Sequence, residues 1–255
     1  MQVFGNEVKV VTYSFYANGD YQRCFDDILI AEQVFQGIPV MALKHTQIPA
    51  DISSGLKNDA MGNLFRFMVN VERPDIIHMC HPMRTAGFLP GVKANTIPYV
   101  LTLTDYFLLC PKTNLTASDG RLCNGPENGR ACMARCPELP QEFVRARLRT
   151  AKEEIIKKAA AIVAPSLFLA SKYERECDDV CIEIIEHGVN QDVLSTNERH
   201  YTNESQIRLC YAGSLNEFKG VHVLIEAFRS LDGANAELQI YGAGTDAQYI
   251  QKIKK

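Results

Sequence analysis

A chain of 255 residues, 46% of them hydrophobic, is long enough for one large domain or one and a half. Its net charge of −3 offers no basic footprint and excludes nucleic acid as the expected partner. No basic region precedes an apolar core near Met1, and the longest apolar run, Ala159 to Ala170, is too short to span a bilayer; a cytoplasmic protein is expected.

Apolar periodicity sets the elements in chain order. Val8 to Phe15 reads as a strand. Cys24, Phe25, Ile28, Ala31, Val34 and Phe35 fall on one face of a helix that Gly37 ends. Ile38 to Leu43 is the next strand, and Leu64, Phe65, Phe67, Met68 and Val71 mark a helix stopped by Pro74. Strands follow at Asp75–Cys80, Pro98–Thr104, Ala161–Ala164 and Cys181–Ile185. Near-continuous apolar strands separated by helices predict a parallel sheet covered on both faces, an α/β fold of Rossmann-like class. A first domain over residues 1–195, a polar linker over Asn190–Gln206 and a second unit over 206–255 complete the reading.

In such a sheet, chemistry collects beyond the carboxyl ends of the strands. Four turns lie there. Asn18 and Gly19 follow the first strand, where a glycine relieves the bend and can face backbone N–H groups to a ligand; a plain turn is the alternative. His78-Met-Cys-His81 ends the Asp75 strand. Histidines spaced this way at a sheet edge suit a site, a hydrogen-bonding role or a zinc pair, although the nearby sequence supplies no third ligand. Thr104-Asp105 follows the Pro98 strand. Ala164-Pro-Ser166 opens a helix, and Ser166 is also a good N-cap.

Five cysteines, at positions 24, 80, 177, 181 and 210, are scattered; most fall where an apolar residue would serve, and they are expected to be small buried side chains. The other four, Cys110, Cys123, Cys132 and Cys136, share a loop rich in Gly, Asn, Asp and Pro that reads as poor in core residues. Their spacing, C-x12-C-x8-C-x3-C, could close a zinc site or hold an iron–sulfur cluster; zinc leads because no ferredoxin-like spacing is present. Disulfides are the alternative and fit a cytoplasmic setting poorly. After this loop, Glu142 to Lys158 forms a basic helix with Arg145, Arg147 and Arg149. A solvated face is the expected role, contact with an anionic membrane the alternative.

The last fifty residues carry the most specific pattern. Ile207-Arg-Leu-Cys-Tyr-Ala-Gly213 is a strand into a glycine, followed by Lys219-Gly220, a helix from Val221, the strand Glu237–Tyr241 and Gly242-Ala-Gly244. Together with Ile-Ile-His78-x-x-His81, Ala-Pro-Ser166 and Ile-x-x-Gly-Val-Asn190, this order resembles the retaining glycosyltransferases of family 4, which have the GT-B fold. Members of that family continue to a pair of glutamates that hold nucleotide and sugar, so the sequence reads as one truncated early in its C-terminal donor domain.

The resemblance implies an N-terminal GT-B acceptor-side domain with a cysteine-bearing insertion over 105–137, of a kind found in some members. It implies His81 and Asp105 as catalytic residues. It places Asn18, Gly19, His78 and Ser166 towards the acceptor, and Gly213, Ser214, Lys219, Gly242 and Gly244 towards a UDP- or GDP-sugar. Thr104 stands where the family commonly has a histidine, and Ser214 where it has an arginine. The expected function is transfer of a hexose, with retention, to a saccharide or lipid-linked acceptor, in the cytoplasm, with peripheral contact at the inner face of the membrane as an alternative. The alternative is a non-catalytic, metal-stabilised binding domain derived from such an enzyme.

Overall fold

The computed structural model describes residues 5–14, 21–89, 97–189, 200, 202, 205–231 and 233–254. Asn18, Gly19, Asn190 and most of the expected linker lie outside them. The chain divides into two compact units, Met1–Gly188 and Val189–Lys255. The fold is α/β, with a Rossmann-like four-stranded parallel sheet in the first unit.

That unit opens on a second, mixed sheet. Strands β1 (Val10–Tyr13), β2 (Arg23–Phe25), β3 (Ile28–Phe35) and β4 (Ile38–His45) lie in the order β1-β4-β3-β2. Only β1 and β4 are parallel. The helix expected over Cys24–Phe35 is therefore wrong: the segment is an antiparallel meander. Two two-residue turns decide it. Phe25 pairs with Ile28 across Asp26-Asp27, and Phe35 with Ile38 across Gln36-Gly37. Gln36 and Gly37 both sit at positive φ, 49° and 78°, the conformation that matches the twist of a tight hairpin. The apolar spacing fits both a helical period and a strand run, and the turns outweigh it. Ile28 and Ile30 are buried, while Val34 and Phe35 are exposed at the hairpin's far end.

Helix α1 (Asp59–Glu72) covers this sheet with Met61, Leu64 and Met68. Asn58 caps it by accepting from the Met61 N–H at 2.9 Å. It ends at Arg73 in the left-handed region, one residue before Pro74, which cannot continue a helix.

The parallel sheet runs β5 (Ile77–Met79), β6 (Tyr99–Thr102), β7 (Ala161–Ala164) and β8 (Glu183–Ile184), in that order. Its core holds Leu101, Leu103, Phe107, Leu108, Ile155 and Ile162. Between β6 and β7 the chain forms α2 (Arg130–Arg135) and α3 (Gln141–Arg149). A π-helical turn, Thr150–Ile155, and a single 3-10 turn, Ile156–Lys158, follow. The insertion is not poor in core residues, contrary to the reading of its composition: Phe107, Leu108, Leu109, Leu115 and Ala131 are buried. Nor is the basic helix wholly solvated, because Arg147 is 4% exposed. α4 (Leu167–Glu174) then packs Leu169, Ala170 and Tyr173 against the sheet.

The second unit consists of β9 (Ile207–Ala212), α5 (Val221–Arg229), β10 (Ala236–Tyr241) and α6 (Ala247–Ile253), with β9 and β10 parallel. Val221 and Tyr249 are its only buried side chains among the described residues. Of the five scattered cysteines only Cys177 is buried; Cys24, Cys80, Cys181 and Cys210 are exposed. Cys24 lies on the edge strand β2 and Cys210 on a strand with both faces largely uncovered. No helix of the described residues is long and apolar enough to cross a membrane.

Candidate functional site

Because β5 and β6 are parallel and in register, with Met79 opposite Leu101, the turns that follow both leave the same edge of the sheet. That geometry joins two residues far apart in sequence. His81 Nε2 lies 3.1 Å from Asp105 Oδ2. The Asp105 side chain is further held by its other oxygen, which accepts from the Phe107 N–H at 2.8 Å. Its backbone carbonyl accepts from the Tyr173 hydroxyl at 2.9 Å. Burial pushes the Tyr173 hydroxyl well above its usual range, so it remains a donor at every working pH.

The imidazole is shifted upwards. The hydrogen bond to Asp105 is the largest cause, opposed by partial burial and aided by a backbone bond to Met83. The stability this pair contributes is therefore present below the unfolded histidine value of about 6.5 and fades as pH rises through the higher folded value. With the side chains 48% and 31% exposed, that contribution is small. A titration of the His81 ring protons by NMR should give a midpoint above about 6.5. Asp105→Asn should move it down, and an unchanged midpoint would show that the contact does not persist in solution.

The other expected site residues are distributed differently. His78 Nε2 meets Thr102 Oγ1 at 2.8 Å, bridging the neighbouring strands β5 and β6. Ser166 Oγ accepts from the Leu169 N–H at 3.3 Å, so it caps α4. Thr104 Oγ1 is buried with no hydrogen-bond partner among the described residues.

In the second unit the glycines serve close packing. A Cβ on Gly242 would lie 1.8 Å from the Gly213 carbonyl oxygen, and one on Gly244 2.2 Å from that of Leu215. Their loops run side by side, with Gly213 N–H donating to Tyr241 O and Leu215 N–H to Ala243 O. Ser214 lies between these bonds, its carbonyl accepting from the Tyr211 hydroxyl at 2.9 Å. Lys219, ahead of α5, stacks its ammonium 5.6 Å from the Phe218 ring centroid.

Two features carried little or no sequence signal. Arg147, one basic residue among many on its helix, is buried and donates to the carbonyls of Ser54 (2.8 Å) and Phe107 (2.6 Å). Desolvation lowers its value to about 10. His45, fully buried, meets the Tyr13 hydroxyl at 2.8 Å. Only the apolar character of β4 hinted at its burial.

The four loop cysteines line one cavity. Burial, with the adjoining Cys110, Cys136 and Cys123 thiols, pushes the Cys132 thiol up to about 12. Among the described residues no three His, Cys, Asp or Glu side chains stand ready to hold a metal ion. Compared with known proteins, the chain matches no family model and no curated protein.

Proposed function

We propose that the chain is a retaining hexosyltransferase of the GT-B type, using a UDP- or GDP-sugar and a saccharide or lipid-linked acceptor. One observation carries the reading: the His81–Asp105 pair at the carboxyl edge of the parallel sheet, where ligands of open α/β sheets bind. A half-exposed imidazole held by a carboxylate can exchange a proton with a sugar or acceptor hydroxyl as the diphosphate departs. On the donor side Lys219 supplies a cation ahead of the α5 N-terminus, where a diphosphate would be attracted.

A second reading, a non-catalytic domain of the same descent, is favoured by Gly242 and Gly244. Their free faces are closed by backbone carbonyls rather than open to a ligand. The experiment is to incubate the protein with UDP- and GDP-hexoses and follow nucleotide release and donor-dependent shifts at His81. Release is expected, together with donor dissociation constants weaker than about 1 mM. Absence of both release and any donor-dependent shift would leave the second reading.

A further inference from the structure

Cys110, Cys123, Cys132 and Cys136 reach one cavity from three separate stretches of chain. Cys110 comes from the turn after β6, where its N–H donates to Tyr106 O at 2.7 Å. Cys123 follows the small bridge between Thr116 and Leu122, its N–H bonded to Leu115 O at 2.7 Å. Cys132 lies in α2 and Cys136 caps it, the Cys136 N–H donating to Cys132 O at 2.8 Å. Backbone bonds thus fix the origin of each thiol. All four are free, and three are buried. All four line the same cavity.

An independent observation lies beside them. The Arg147 guanidinium is buried with no ion-pair partner among the described residues, and its Nη1 has no hydrogen-bond partner there. Its Nη2 donates to the Phe107 carbonyl at 2.6 Å, in the same turn that carries Cys110. An unpaired buried cation is costly. Four thiolates around a divalent ion carry net negative charge, and this guanidinium is placed to balance it.

We propose that Cys110, Cys123, Cys132 and Cys136 bind one zinc ion as a closed structural site, with Arg147 as its buried counter-charge. Soft thiolates select zinc over hard cations, and four protein ligands leave no position open for chemistry. Among the described residues these thiols do not already stand as a metal site; zinc would draw them together on binding. The ion then staples the insertion that begins at Asp105, and so steadies the residue that holds His81.

The test uses the whole chain, purified under reductant. Elemental analysis should find about one zinc per chain, and cobalt exchanged into the site should show the intense thiolate charge-transfer bands of a tetrahedral centre. Cys132→Ser should lose the metal, while Cys177→Ser, equally buried but outside the cavity, should keep it. Arg147→Met should weaken retention against a chelator by about 10- to 100-fold. If Cys132→Ser fails to fold, the cobalt spectrum of the unaltered chain decides. Metal-free protein that takes up no zinc or cobalt, disulfides among these four cysteines, or an iron–sulfur chromophore would each overturn the proposal.

Discussion

His81→Ala and Asp105→Asn are each expected to lower hexosyl transfer by about 10²- to 10⁴-fold, the usual contribution of a positioned acid–base group. Asp105→Asn is the sharper variant. Its amide oxygen can still accept from the Phe107 N–H, so the turn after β6 should survive, while the group facing His81 loses its charge. The two residues act as a unit, so the double variant should be little worse than the poorer single one. The pH profile of turnover should also move to lower pH in Asp105→Asn, because the hydrogen bond that raises the imidazole is weakened. Additive losses, or single losses below about tenfold, would remove the pair from the chemistry.

The largest expected effect on stability is at Phe107. This ring is fully buried, with the Arg147 guanidinium carbon 4.8 Å from its centroid. Phe107→Ala should cost about 3–5 kcal/mol for the lost burial and the cavity left behind, with a further contribution of about 1 kcal/mol or more from the lost cation–π contact. Against a total of about 5–15 kcal/mol for a typical domain, that brings the first unit close to unfolding. Urea denaturation should show a lower midpoint with little change in slope. Val71→Ala, on the exposed face of α1, should stay within about 0.5 kcal/mol. A loss at Phe107 no larger than that would mean its surroundings collapse to fill the space.

Where the sequence was legible, the reason is burial on both faces. β6 and β7 lie inside a parallel sheet, so Tyr-Val-Leu-Thr and Ala-Ile-Val-Ala read as apolar runs and were placed to within two residues. The residues after them were legible as turns, and the His81–Asp105 meeting follows from parallel register alone. β2 and β3 were not legible, since Ile28, Ala31 and Phe35 satisfy a helical stripe as well as a strand and only the turns at Asp26 and Gln36 break the tie. The insertion misled through composition: its polar majority hid Phe107, Leu108 and Leu115, which anchor it to the core. Arg147 was beyond reach. Nothing local separates it from Arg145 or Arg149, and its burial comes from the distant carbonyl of Ser54.

The π-helical turn at Thr150–Ile155 has a consequence for how this chain tolerates insertions and deletions. Such a turn holds one residue more than α-helical winding needs. It sits between Arg147, buried on its N-terminal side, and the buried pair Ile155 and Ile156. Losing any one residue within the turn would let the helix run on as regular α. The π turn takes up its extra residue within the arc that α winding covers with one fewer, so Arg147 and Ile156 on its flanks would keep about the same facing. The turn thus stores one spare residue, and a single-codon deletion there should cost less than the same deletion at the two-residue turn Gln36-Gly37, where a one-residue slip would reverse the faces of a strand.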